Sequence, residues 1–160
     1  MLAELPMQAA PEVRYLDHTF QWEKTYEYRA TVVTIAHTGV EPVRIEGDDT
    51  PPVKVFAHDI FPPATPTGLQ AVFSGPGQQP FIDLIWAPDT DADLAGYNVY
   101  RRLEGQTTGS AEKLNPSPVT TPAYRDTGVA SGAHYIYSVS AIDIRGNESS
   151  RSEDAEETVP

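Results

Sequence analysis

The chain has 160 residues, a 39% apolar content, and 11 basic against 23 acidic side chains for a formal charge of −12, material for one packed domain or two small ones. So acidic a surface repels a phosphate backbone, which argues against nucleic acid and anionic membrane as partners. Cysteine is absent, removing disulfides, thiolate nucleophiles and cysteine-ligated metals.

The 15 prolines and 11 glycines follow no collagen-like period, so many turns joining short strands are expected and long helices are not. No apolar run approaches the roughly 20 residues of a membrane span. Met1 to Pro11 lacks the basic start and apolar stretch of a secretory signal, so on that segment alone the chain would stay in the cytosol.

In chain order, the first alternating stretch places Tyr26, Tyr28, Ala30 and Val32 on one inward face. Asp59 to Pro66 follows with prolines at 62, 63 and 66. These favour extended backbone and remove ladder donors, so a short, stiff linker is expected, with Phe61 placed to wedge between the units on either side.

Beyond it, Leu69, Ala71 and Phe73 alternate as a strand. Phe81 to Trp86 forms the next, with Ile82, Leu84 and Trp86 on one face and Asp83 on the other, and Pro88 stops it. Gly96 to Arg101 reads as a strand with Tyr97 and Val99 inward and Asn98 and Tyr100 outward. Short β segments fit Lys113-Leu114, Tyr124-Arg125 and Arg151 to Val159. The clearest strand is His134 to Asp143, where Tyr135, Tyr137, Val139 and Ala141 share one face. The count is about seven strands in about a hundred residues, that of an immunoglobulin-like antiparallel β-sandwich. The acidic cluster Glu153, Asp154, Glu156 and Glu157 would protect an edge strand from self-pairing.

A shift of 109 residues superposes Leu5 on Leu114, Tyr15 on Tyr124, Asp17 on Asp126, Tyr26 on Tyr135 and Tyr28 on Tyr137. These are inward-facing and turn positions, so the chain holds an internal repeat. Its first copy starts where the second is already past the Trp86 and Tyr97 strands. Residues 1–58 are therefore expected to form a partial unit, 59–66 a Pro-rich linker and 67–160 a complete one.

The order Pro66-x-x-Leu69, Leu84-x-Trp86, Asp93-Leu94-Ala95-Gly96-Tyr97-x-Val99-Tyr100-Arg101, Tyr124-x-Asp126 and Tyr135-x-Tyr137-x-Val139-x-Ala141-x-Asp143 resembles a bacterial-type fibronectin type III domain. The resemblance implies a seven-stranded all-β sandwich over 67–160 and strands C′, E, F and G over 1–58. It implies a core built on Trp86, Tyr97, Leu84, Val99, Tyr135, Tyr137, Val139 and Ala141. Tyr135 takes the place of the tyrosine corner, whose hydroxyl bonds to the chain just upstream. Such modules serve as spacers, adhesion units and accessory domains of secreted enzymes or envelope lipoproteins, so a cell-envelope or extracellular setting is implied.

Candidate sites are few. Asp89, Asp91 and Asp93 alternate like the start of a calcium loop, but Leu94 stands where the turn needs glycine and Tyr100 where a glutamate should ligate. Asp-capped turns are the better reading. Arg145-Gly146-Asn147 reads as a hairpin turn with positive φ at Gly146 and Asn147, and Asn147-Glu148-Ser149 is a glycosylation sequon. His18, His37, His58 and His134 show no metal-like spacing. Ser74-Gly75-Pro76-Gly77 reads as an ordinary loop.

No pattern supplies a nucleophile with its base or a phosphate loop, so neither enzyme activity nor a cofactor is expected. Phe20, Trp22, Tyr26, Tyr28 and Phe61 remain as interface candidates. They suit a protein partner, self-association of the incomplete half or a carbohydrate.

Overall fold

The computed structural model describes residues 2–6, 12–74 and 79–160. It is all-β, with eleven strands and one short 3-10 turn among the described residues. The glycine-rich run 75–77, expected as a loop, lies outside them. The chain divides into two compact units, Met1–Asp59 and Ile60–Pro160. The expected linker is thus split differently: Pro63 and Pro66 are buried, and the amide of Ala64 donates to Asp91 Oδ2 at 2.9 Å, so residues 60–66 pack within the second unit.

The second unit holds two antiparallel sheets. One has the order β5 (Gln70–Phe73), β6 (Ile82–Ile85), β9 (Ala123–Asp126); the other runs β11 (Ala155–Thr158), β10 (His134–Asp143), β7 (Leu94–Leu103), β8 (Glu112–Lys113). The alternation of β6 sends Ile82 and Leu84 to the interior, both without accessible surface, with Trp86 just beyond them 5% exposed. From the opposite sheet Tyr97, Val99, Tyr135, Tyr137, Val139 and Ala141 meet them. The Trp86 and Tyr97 rings pack edge to face at 5.2 Å, a geometry that sets the positive ring edge against the negative face.

The alternation expected for β7 fails in burial. Asn98 is 1% exposed although it lies on the outer face. The reason is Glu148, whose Oε1 receives Asn98 Nδ2 at 2.9 Å, the Tyr100 hydroxyl at 2.6 Å and the Ser140 hydroxyl. Arg151 lies over the Tyr100 ring, 3.8 Å from its centroid, so polar side chains roof the outer face. The last strand is shorter than the alternation suggested, because the hydroxyls of Ser152 and Ser149 take the amides of Val139 and Ala141 at 3.0 and 2.9 Å. Side-chain oxygens there stand in for a ladder.

Gly96 is demanded by close packing. Its φ is +149°, and a Cβ there would sit 2.5 Å from the carbonyl oxygen of Val119, to which the Tyr97 amide donates at 2.9 Å.

The first unit contains two paired ribbons: β1 (Lys24–Tyr28) with β4 (Val53–Ala57), and β2 (Thr31–Ala36) with β3 (Val43–Asp49). The Thr50 amide donates to the Ala30 carbonyl at 2.9 Å, so the ribbons continue one hairpin. The expected inward stripe holds for Tyr26 and Tyr28, both partly buried, and then breaks: Ala30 is exposed and Val32 is 59% exposed, whereas Val33 is partly buried. The break falls where β1 gives way to β2, beside a register irregularity at which three steps of β3, Asp49 to Glu46, oppose two of β2, Thr31 to Val33. Residues 12–16 form no strand. Their counterpart in the second unit, β9, is a strand because β6 accepts its ladder bonds. The described residues of the first unit offer no such neighbour.

Candidate functional site

The polar features of the second unit are closed networks rather than a cleft. Asp126, 4% exposed, receives Arg101 Nη1 at 2.8 Å and the Tyr137 hydroxyl at 2.9 Å on Oδ2, and the Gly128 amide at 2.9 Å on Oδ1. Burial first, and the adjoining Asp126 carboxylate second, push the Tyr137 phenol far above its usual range. The Tyr135 hydroxyl takes the amide of Ala130 at 3.0 Å, a corner that ties β10 to the chain before it.

At the far end of β10, Asp143 organises the turn. Burial raises its pKa, but bonds from the Asn147 side chain and the Asn147, Arg145 and Gly146 amides outweigh it, so the carboxyl stays below its ordinary value. Only Gly146 in this turn has positive φ, at 90°. The expectation for Asn147 was wrong, because its side chain is spent on Asp143 at 2.8 Å rather than on a left-handed turn. Glu148 is also held low: burial opposes, and the donors Asn98, Ser140 and Tyr100 prevail.

Asp89, Asp91 and Asp93 face separate partners. Asp89 Oδ1 caps the Asp91 amide at 2.9 Å, Asp91 caps Ala64, and Asp93 Oδ2 pairs with Arg145 Nη1 at 3.1 Å. The histidines serve structure where they have recorded contacts: His134 Nδ1 lies 2.7 Å from the hydroxyl of its cross-strand neighbour Thr158, and His58 Nδ1 lies 3.0 Å from Glu23. Three buried side-chain polar atoms, Trp86 Nε1, Asp89 Oδ2 and Asn98 Oδ1, lack partners among the described residues.

The first unit repeats the geometry of the second in detail. The Tyr28 hydroxyl donates to Asp17 Oδ2 at 2.8 Å, the Thr19 amide to Asp17 Oδ1 at 2.8 Å and the Gln21 amide to the Tyr26 hydroxyl at 2.6 Å. Each bond has its counterpart 109 residues on, at Tyr137, Gly128 and Ala130. Glu23, with φ of 60°, occupies the place of Gly132 at 80°. Both donate across the ribbon at 2.7 Å, to Ala57 and Val159 respectively. A left-handed glutamate costs about 1 kcal/mol or more.

Above this ribbon lies an open groove of about 1050 Å³. Phe20 and Trp22 form an edge-to-face pair at 4.8 Å, with 38% and 39% of their surface exposed. Phe61 is 67% exposed.

No family model matches the sequence. An Fn3-like protein from Clostridium thermocellum is similar at 35% identity, over 61% of this chain and 94% of that one, with a TM-score of 0.50. The chain belongs to the fibronectin type III-like family.

The FN1-FN3 domains of chicken CNTN1 share the fold over 91% of this fibronectin type III-like chain and 46% of theirs, at 15% identity and a TM-score of 0.56. An amylopullulanase of Thermoanaerobacterium saccharolyticum is 35% identical over 133 residues, which is 82% of this chain and 9% of that protein. The chain thus spans about a tenth of the length of that curated relative. Arg101 and Asp126 both stand in the fibronectin-like motif, but their spacing did not announce that they pair, nor did it announce the Glu148 roof or the Asp17–Tyr28 bond. The signal for the last was present, since Asp17 and Tyr28 match Asp126 and Tyr137 in the repeat.

Proposed function

We propose that this chain is a non-catalytic accessory segment of a larger extracellular or envelope-associated protein, of the polysaccharide-hydrolase kind its curated relative represents. Its fibronectin type III-like units would hold other domains apart or present a binding surface. The observation that carries this reading is the extent of the amylopullulanase match, which is longer than the second unit alone and so runs into the first, yet takes in only 9% of that protein. A likeness confined to so small a part suits a module attached to an enzyme rather than the enzyme.

The site chemistry supports the same reading. The carboxylates Asp126, Asp143 and Glu148 are bound by fixed donors in folded turns and sheets, where they serve packing. The first unit we take as the part of a preceding sandwich expected to supply C′, E, F and G, on the strength of its shared hydrogen bonds and left-handed residue. Its F and G ribbon is formed, and no C′ or E strand stands among the described residues.

The test is direct. Incubated with soluble starch or pullulan, the chain should release no reducing ends, and in affinity electrophoresis through either glucan it should migrate unretarded. Retardation that disappears in Trp22→Ala would replace the spacer reading with carbohydrate recognition through the Phe20–Trp22 pair. Hydrolysis would end the accessory reading.

A further inference from the structure

The first unit presents an apolar sheet face that no described strand covers. The apolar part of its groove is formed by Leu5, Leu16, Tyr28, Ile35 and Val53, with Arg29 and Arg44 also in the lining, each paired to glutamate. Leu16 is 74% exposed, Ile35 58% and Val53 61%. Each core-sized side chain left in water forgoes ~1.5–3 kcal/mol of burial, and a contiguous patch of them marks an interaction surface.

The second unit displays what covers such a hairpin. There β6 sets Ile82, Leu84 and Trp86 against Tyr137 and Val139, while β7 pairs along the edge of β10. From β7, Arg101 reaches the aspartate that already holds Tyr137. In the first unit, Asp17 has the bond from Tyr28 and the one from Thr19, but among the described residues no guanidinium stands where Arg101 would. The Tyr26 and Tyr28 rings are spaced at 6.2 Å, as Tyr135 and Tyr137 are at 6.3 Å. The pairing of Tyr26 with Val55 and Tyr28 with Val53 matches that of Tyr135 with Glu157 and Tyr137 with Ala155. The same half of a sandwich is built twice, and among the described residues nothing covers the first copy.

We propose that the open face of the first unit is a docking surface for a polypeptide of the front-half fibronectin kind. That partner is an antiparallel set of strands with alternating apolar side chains, a large ring to fill the groove against Tyr28 and an arginine to reach Asp17. The proposal rests on reading residues 1–58 as the back half of a sandwich. Main-chain pairing along β1 supplies affinity, and the ring and the arginine supply register.

The probe is a peptide of residues 60–107 of this same chain, which carries β5, β6 and β7, added to the full-length isotope-labelled protein. A second format appends the same residues ahead of Met1 through a flexible linker, so that poor peptide solubility leaves the question answerable. In both, amide exchange across residues 24–57 should slow by on the order of a hundredfold or more, with resonance shifts centred on Tyr26, Tyr28 and Val53. Arg101→Gln in the added segment and Asp17→Asn in the chain should each weaken docking by roughly tenfold, and the pair together little further, because the lost bond is shared.

Unchanged exchange in both formats overturns the proposal. So does protection of the hairpin that rises with chain concentration and ignores the segment, which would assign the face to a second copy. Cross-strand contacts between Tyr26 and Val55 in the free protein report the hairpin itself. Their absence sinks the half-sandwich reading, whereas their presence without a response sinks only the docking.

Discussion

Tyr28 and Tyr137 donate the same hydrogen bond, at 2.8 and 2.9 Å, to an aspartate eleven residues upstream, yet Tyr137 has no accessible surface while Tyr28 remains partly exposed. Around both, a left-handed residue, a corner tyrosine and a ribbon of equal register recur. What differs is the opposite sheet. The comparison teaches that the hairpin and its corner are local structure, encoded within about forty residues; the aspartate bond is the first cause that raises the Tyr28 phenol, whereas the burial that dominates the shift at Tyr137 belongs to the partner layer.

The comparison can be broken most forcefully at the indole. Trp86→Ala should destabilise the second unit by ~3–5 kcal/mol, as for a large core aromatic. Denaturant unfolding should register the loss while cross-strand contacts in residues 24–57 stay unchanged. If the first ribbon melted with it, the two units would not be independent in stability.

Gly96→Ala should lower the same transition by ~1–3 kcal/mol, because a Cβ at 2.5 Å from Val119 forces the backbone bridge apart. An unchanged thermal midpoint would show that this crossing is softer than drawn.

The matched pair Tyr137→Phe and Tyr28→Phe sharpens the contrast. Removing the buried hydroxyl should cost about 1.5–3 kcal/mol, the range for a bond to a charged group. The change at Tyr28 should be clearly smaller, since water can replace the donor at Asp17. Equal losses by denaturant titration would contradict the role given to the opposite sheet.

The smallest effect concerns acid. The folded pKa of Asp143 lies below its ordinary value, with burial opposing and the bonds from Asn147 prevailing. Its unfolded value is about 3.9. The stabilisation is therefore complete above that value and is lost as pH falls through the depressed folded pKa. Asp143→Asn should flatten the pH dependence of the second unit's denaturation midpoint below about pH 4. A slope equal to that of the unaltered chain would assign acid sensitivity elsewhere, with Glu148 as the next group to change.

Much of this was legible beforehand. Strand β10 runs His134–Asp143, as its unbroken alternation suggested, because period two is a local property and ten residues give it room. The repeat pointed to Asp17 and Tyr28 before any geometry was known. The reading failed where tertiary neighbours overrule the pattern. Asn98 is buried because a glutamate fifty residues later folds over it, and no periodicity announces a polar roof. Val32 is exposed where the ribbon passes from β1 to β2 beside a bulge carried by β3, and a bulge in the partner strand leaves no mark on this strand's own alternation. Pro63 and Pro66, ordinary signs of a linker, are buried instead, since Asp91 offers the segment an acceptor.

By itself the sequence determined the β character of the chain, the order of its strands and the inward tyrosines, since each depends on spacing between neighbours along one strand. Only the tertiary structure decided how far each of two equal hairpins loses its accessible surface, Tyr137 completely and Tyr28 in part. That outcome depends on whether a second apolar layer is present to displace water, and a strand cannot carry that information in its own alternation.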